Sequence, residues 1–101
     1  MKAAVAIEWD ALVLHPDDDV AVALRDLLDS ATVVVRRQGA NEHLQITQAI
    51  PLGHKFALHP IAAGAPVRKY GESIGVATVD IPGGSHVHVH NLASRRARAS
   101  Q

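Results

Sequence analysis

One eleven-residue phrase occurs three times in this chain, and it limits the fold more than any other feature. It runs from Ala23 to Val33, from Ala57 to Val67 and from Ala77 to Val87. The shared template is Ala-x-x-Asp/Pro-Leu/Ile-x-x-Gly/Ser-x-x-Val. The copies start 34 and then 20 residues apart, so they are not the fixed-period units of a solenoid. Each reads as strand, turn, strand. The alternation of Ile74-Gly75-Val76-Ala77-Thr78 suits a strand. Asp80-Ile81-Pro82-Gly83-Gly84 is turn chemistry, because proline presets φ and glycine accepts positive φ. The valines that follow begin another strand. Short strands joined by Gly and Pro turns indicate a small all-β domain. The first copy departs from the pattern with Ser30 in place of glycine, which leaves the geometry of that turn open.

Composition agrees with a single domain near the lower end of what folds alone. Apolar residues make up 48% of the 101, yet Trp9, Phe56 and Tyr70 are the only aromatic ones, so the core must be mostly Val, Ile, Leu and Ala. Tyr70 is one of the few large side chains available to it. Val20–Leu24 reads as strand, with one helical turn allowed near Asp26–Asp29. Residues 37–42 read as a hairpin turn between strands at Thr32–Arg36 and His43–Thr47. The expected domain spans residues 1–94, followed by a mobile basic tail, 95–101. Ten basic and ten acidic side chains cancel, so net charge gives no argument for nucleic acid or membrane. There is no cysteine, which excludes disulfides, iron–sulfur ligation and thiol catalysis by this chain. No signal-like or membrane-spanning stretch is legible, so a cytoplasmic location is expected.

The best pointer to chemistry is His86-Val87-His88-Val89-His90-Asn91. In a strand, residues two apart share a face, so the three imidazoles would line one side and Val87 and Val89 the other. Neutral imidazole is the commonest protein metal ligand. A strand rises about 3.3 Å per residue, so one ion cannot easily take all three from a straight strand. An adjacent pair, His86/His88 or His88/His90, can chelate one ion, with further ligands supplied from elsewhere. A His-rich edge strand without function is the bland alternative. His54-Lys55 follows a Pro/Gly turn and is a second candidate for meeting an anionic substrate. Strand alternation would face these two side chains oppositely. Lys69 and Tyr70 offer a point charge and a hydrogen-bond donor. His15-Pro16-Asp17-Asp18-Asp19 lacks a defined cation-loop motif and reads as a turn. A chain this small encloses little volume, so any catalytic site is expected to be shared with another subunit.

Four stretches together resemble a known family. They are His15–Asp26, Ile50–Leu58, Lys69–Ala77 and Asp80–Leu92, in that order, and they cover most of residues 11–94. They are similar to the amino-terminal SAF-type domain of the altronate/galactarate dehydratases. The resemblance implies an all-β, SAF-like β-clip of short bent strands, with at most one or two short helical turns. It implies the small subunit of a metal-dependent sugar-acid dehydratase, a hydro-lyase inactive alone that completes a site shared with a large catalytic subunit. It also implies a divalent metal, with Fe2+ favoured, and a small anionic sugar acid as substrate. The alternatives are the small subunit of a sulfolactate sulfo-lyase and a non-catalytic substrate-binding or assembly module, since fold does not fix function. Exposed β edges leave homo-oligomer formation open as well. On this reading His88, His90, His54 and Lys55 are the candidate catalytic residues, and His86, His88 and His90 the candidate metal ligands.

Overall fold

A computed structural model describes residues 9–94, so the expected tail at 95–101 lies outside the described residues. Among these residues there are nine short strands and no helix. They are β1 (Ala11–Leu12), β2 (Val20–Ala23), β3 (Thr32–Arg37), β4 (Ala40–Gln45), β5 (Lys55–Ala57), β6 (Pro66–Lys69), β7 (Glu72–Ala77), β8 (His86–Val87) and β9 (Leu92–Ser94). Six form a mixed sheet in the order β4-β3-β1-β2-β5-β8, and three form a second sheet, β6-β7-β9. The all-β class and the short strands expected from the sequence are observed.

The recurring phrase is the structural unit, and it occurs four times rather than three. Ile46–Phe56 repeats it with Ile46, Ile50, Gly53 and Phe56 at the template positions. Sequence reading missed this copy because Ile and Phe replace Ala and Val at its ends. In all four, a carbonyl accepts from the amide three residues on: Leu28 from Ala31 (3.1 Å), Pro51 from His54 (3.0 Å), Ala62 from Ala65 (3.0 Å) and Pro82 from Ser85 (3.1 Å). The third residue of each turn has positive φ: 67° at Ser30, 83° at Gly53, 85° at Gly64 and 85° at Gly84. A type II turn requires that sign at that place. Ser30 therefore keeps the shared geometry.

The copies pair in twos through their central apolar residues. Leu27 and Ile50 exchange backbone hydrogen bonds at 2.8 and 3.0 Å, and Ile61 and Ile81 do so at 2.8 Å each way. Each copy's first amide donates to the carbonyl after the partner's turn, as from Ala23 to His54 (2.9 Å) and from Ala57 to Ser85 (2.9 Å). Aspartate reinforces each pair: Asp26 accepts from the Leu52 amide (2.8 Å) and Asp80 from the Ala63 amide (2.9 Å). The core divides accordingly. One cluster holds Ala23, Leu27, Val33, Ile46, Ile50 and Phe56; the other holds Ala57, Ile61, Val67, Ala77, Ile81 and Val87. All twelve template side chains are buried. At about 1.5–3 kcal/mol for each fully buried large apolar side chain, the repeated phrase supplies most of what holds the domain together.

Two hairpins and one clamp complete the frame. Gln38-Gly39 and Tyr70-Gly71 are two-residue turns with positive φ at both positions, the twist that suits a hairpin. The first turn is tighter than the six residues expected, and β3 and β4 pair from Arg37↔Ala40 to Thr32↔Gln45. Tyr70 is 63% exposed at its turn apex, so the expectation that it fills the core is corrected. The helical turn allowed at Asp26–Asp29 does not form, because Leu27 bridges to Ile50 instead. The His15–Asp19 turn has a structural purpose: buried Asp18 accepts from the amides of Tyr70 (3.1 Å) and Gly71 (2.8 Å). Asp19 accepts from the amide of Arg68 (2.8 Å). These carboxylates fasten the β6–β7 hairpin to the start of β2.

Candidate metal and substrate site

The fourth copy and the last copy of the turn deliver the histidines to one another. His54 follows the turn glycine Gly53, and His86 follows Gly84 and Ser85. Strands β5 and β8 pair antiparallel with Lys55↔Val87 and Phe56↔His86, a register that sets His54 opposite His88. His54 Nδ1 and His86 Nε2 are hydrogen-bonded at 2.9 Å, the tautomer deciding which ring donates. The His54 and His88 rings stack with centroids 4.5 Å apart, and His86 and His88 stack at 5.2 Å.

The chain does not continue as a strand through the histidine run. β8 ends at Val87, and residues 88–91 turn so that β9 can join the other sheet. Buried Val87 points inward as expected, but Val89 is 83% exposed, which corrects the expectation that it would share the inner face. Asn91 fixes the turn. Its Oδ1 accepts from the His88 amide (2.9 Å), its Nδ2 donates to the His86 carbonyl (2.8 Å), and its own amide donates to the His88 carbonyl (3.1 Å). This bend replaces the spread of a straight strand with a compact group.

Three histidines come within chelating reach. One nitrogen each from His54, His86 and His88 lie within 4.8 Å of one another. Bonds of about 2.1 Å to an ion place ligand nitrogens roughly 3–3.5 Å apart, so modest ring rotation closes the group around a cation. An all-imidazole donor set suits Fe2+, Zn2+, Ni2+ or Cu2+. His90 lies at the exposed end of the turn, with its ring 5.5 Å from that of His86. It is outside the group that meets at 4.8 Å, while His54 is inside it.

Electrostatics keep the nitrogens available. Burial, followed by the neighbouring charges of His54, His88, His90 and Lys55, pushes His86 below the ordinary imidazole value. His88 is lowered by desolvation first, then by His54, Lys55 and His90. Neutral rings near pH 7 retain the lone pairs that a metal needs. Lys55 is lowered by burial and then by the charge of Lys69.

Sequence reading did not give Asn91 or Gln48 a role. Asn91 sets the bend, and Gln48 Oε1 accepts from the His86 amide at 3.0 Å. Asparagine beside a histidine run is a local turn signal. The Gln48 contact crosses 38 residues, and nothing local announces it. His54, His86 and His88 are each half-buried. The concavities between Asp10, Arg25 and Leu28, and between Pro60, Asp80 and Pro82, contain no histidine.

Comparison with known proteins identifies the family. The family model for the altronate/galactarate dehydratase SAF domain matches residues 9–95. The chain is 49% identical to altronate dehydratase of Escherichia coli K12 over 88 residues, which are 87% of this chain and 17% of that protein. It is 33% identical to the (2R)-sulfolactate sulfo-lyase subunit alpha of Chromohalobacter salexigens over 90 residues, 86% of this chain and 96% of the relative. The corresponding subunit of Paracoccus pantotrophus is 41% identical over 63 residues, 62% of this chain and 94% of its own length.

Proposed function

The chain belongs to the SAF-domain family of the altronate/galactarate dehydratases, and from that premise we propose that it is the small subunit of a metal-dependent sugar-acid dehydratase. It works in the cytoplasm and completes an active site shared with a large catalytic subunit. The observation that carries this reading is the group of three half-buried imidazoles within 4.8 Å of one another. The chain spans less than a fifth of the E. coli altronate dehydratase.

Dehydrating a hydroxy acid means removing a weakly acidic proton beside a carboxylate and expelling hydroxide. His54, His86 and His88 would hold a divalent cation, Fe2+ by family likeness. When bound, that cation supplies Lewis acidity to an oxygen of the substrate. The exposed imidazole of His90 is placed to carry a proton at the rim. Lys55, next to His54, offers a cation to the acid. Asn91 keeps the histidine turn bent, and Gln48 anchors its first backbone amide.

A second reading has its own support. The match over nearly the full length of two sulfo-lyase alpha subunits favours a subunit role and leaves sulfite as an alternative leaving group. Recovery of the tagged chain with its partner, followed by assays on altronate and on sulfolactate, tests both. Release of water from altronate supports the dehydratase, and release of sulfite from sulfolactate supports the alternative. A chain recovered without a large partner, and with neither activity, would contradict both and favour a binding module.

A further inference from the structure

His86 lies at the edge of its sheet, and side chains hold its backbone from outside. β8 is the edge strand beyond β5, and Phe56 lies opposite His86 in the register. The ladder bond next to it runs from the Ala57 amide to the Ser85 carbonyl (2.9 Å). Alternation along an antiparallel pair then turns the His86 amide and carbonyl away from β5. A further strand would ordinarily receive groups exposed on such an edge. Here two carboxamides do so. Gln48 Oε1 accepts from the His86 amide (3.0 Å), and Asn91 Nδ2 donates to the His86 carbonyl (2.8 Å).

Gln48 works beside Thr47. The Thr47 amide donates to the Gly84 carbonyl (3.0 Å), and the hydroxyls of Thr47 and buried Ser85 are hydrogen-bonded at 2.6 Å. Thr47 and Gln48 therefore grip Gly84, Ser85 and His86 in succession. Both belong to the Ile46–Phe56 copy of the phrase, and so does His54. That copy meets the last one at the backbone through Thr47 and Gln48, and at the rings through His54. Ile46, Ile50 and Phe56 are buried in the first core cluster, whereas Ile81 and Val87 of the last copy are buried in the second. The histidine group thus bridges two halves that residues 47 and 48 fasten together at this point.

We propose that Gln48 is a positioning residue for the metal group, fixing the His86 backbone so that its ring meets His54 before a cation arrives. The assignment rests on the metal-binding reading of the histidines and adds what sets their spacing. A donor set already gathered binds a cation more tightly than one that must first be assembled, and a drift of about 1 Å is enough to spoil such a site. Gln48 is exposed, so water can satisfy the His86 amide in its absence and stability changes little. Water cannot tether that amide to the copy that carries His54. The two effects of losing Gln48 are therefore separable.

Three variants of the full chain test this. Gln48→Met removes the acceptor at nearly constant length, and Gln48→Glu keeps one. Gln45→Met removes a comparable exposed carboxamide contact, to the Ser30 carbonyl (3.2 Å) in the turn of the first copy. Each is titrated anaerobically with Co2+, and its ring nitrogens are observed by NMR without metal. Gln48→Met should weaken Co2+ binding at least five-fold and shift the His54 Nδ1 and His86 Nε2 resonances, with the denaturation midpoint unchanged. Gln48→Glu should bind at least as tightly as the unaltered chain, and Gln45→Met should match that chain in affinity and ring resonances. Unchanged affinity and resonances in Gln48→Met, or weakened binding in Gln48→Glu, would overturn the proposal. So would equal losses in Gln45→Met and Gln48→Met, because the cause would then be general loosening. An unaltered chain that binds no Co2+ contradicts the metal-binding reading itself. The metal-free resonances of Gln48→Met still decide, in that case, whether Gln48 sets His86 against His54.

Discussion

At the scale of single residues, Asn91 decides what the histidines can do. Its side chain makes two hydrogen bonds to the backbone of the very turn that carries them. Asn91→Ala should cost about 1–3 kcal/mol in chemical denaturation, because the half-buried His88 amide loses its acceptor. It should also weaken Co2+ binding at least ten-fold, since the loop that gathers the rings loses its brace. Unchanged metal affinity would mean that the bend is held by the sheet connection alone. His88→Ala removes one of three nitrogens and should reduce metal affinity by a similar or larger factor, with little change in stability. The candidate histidines were legible in the sequence because imidazoles at alternate positions are conspicuous. Their partnership was not, because His54 and His86 are 32 residues apart and meet only through β5–β8 pairing.

At the scale of the element, the four type II turns share one backbone requirement, and Ser30 meets it at a cost. An L-residue in the left-handed region is disfavoured by about 1–2 kcal/mol, while glycine loses about 0.5–1 kcal/mol more chain entropy on folding. Ser30→Gly should therefore stabilise the domain by about 0.5–1 kcal/mol, measured as a raised denaturation midpoint. The opposite change at Gly84 should be severe. A Cβ there would lie 2.4 Å from the Gln45 carbonyl oxygen, against backbone that cannot step aside, at a φ of 85°. Gly84→Ala should cost several kcal/mol or prevent folding, read by the same denaturation experiment. Three of the four turns were legible because Ala, Leu or Ile, and Val recur at fixed offsets. The fourth was hidden because burial asks only for an apolar side chain, and Ile46 and Phe56 satisfy it without matching the letters. The strand expected through His90 failed for a related reason: periodicity over five residues could not reveal that the chain leaves one sheet for the other at residue 88.

At the scale of the whole molecule, two paired-turn halves carry one histidine face, and protonation links that face to stability. His86 and His88 have folded pKa values below the unfolded imidazole value of 6.5. The unfolded chain therefore binds protons first as pH falls. The stability these groups contribute is present above about 6.5 and is lost as pH drops through the depressed folded values. The metal-free chain should unfold at lower denaturant concentration at pH 5 than at pH 7.5, and replacing both histidines with Gln should shrink that difference. The all-β class was readable from turn chemistry alone, whereas the order β4-β3-β1-β2-β5-β8 depends on pairings between distant segments that no local pattern encodes. The most direct test of the central claim, that His54, His86 and His88 form one metal-binding group, is anaerobic titration of the full chain with Co2+ followed by visible absorption. One equivalent should bind with ligand-field bands of nitrogen coordination, and His54→Ala should abolish it as fully as His88→Ala. Binding that survives His54→Ala, or no binding at all, would contradict the account.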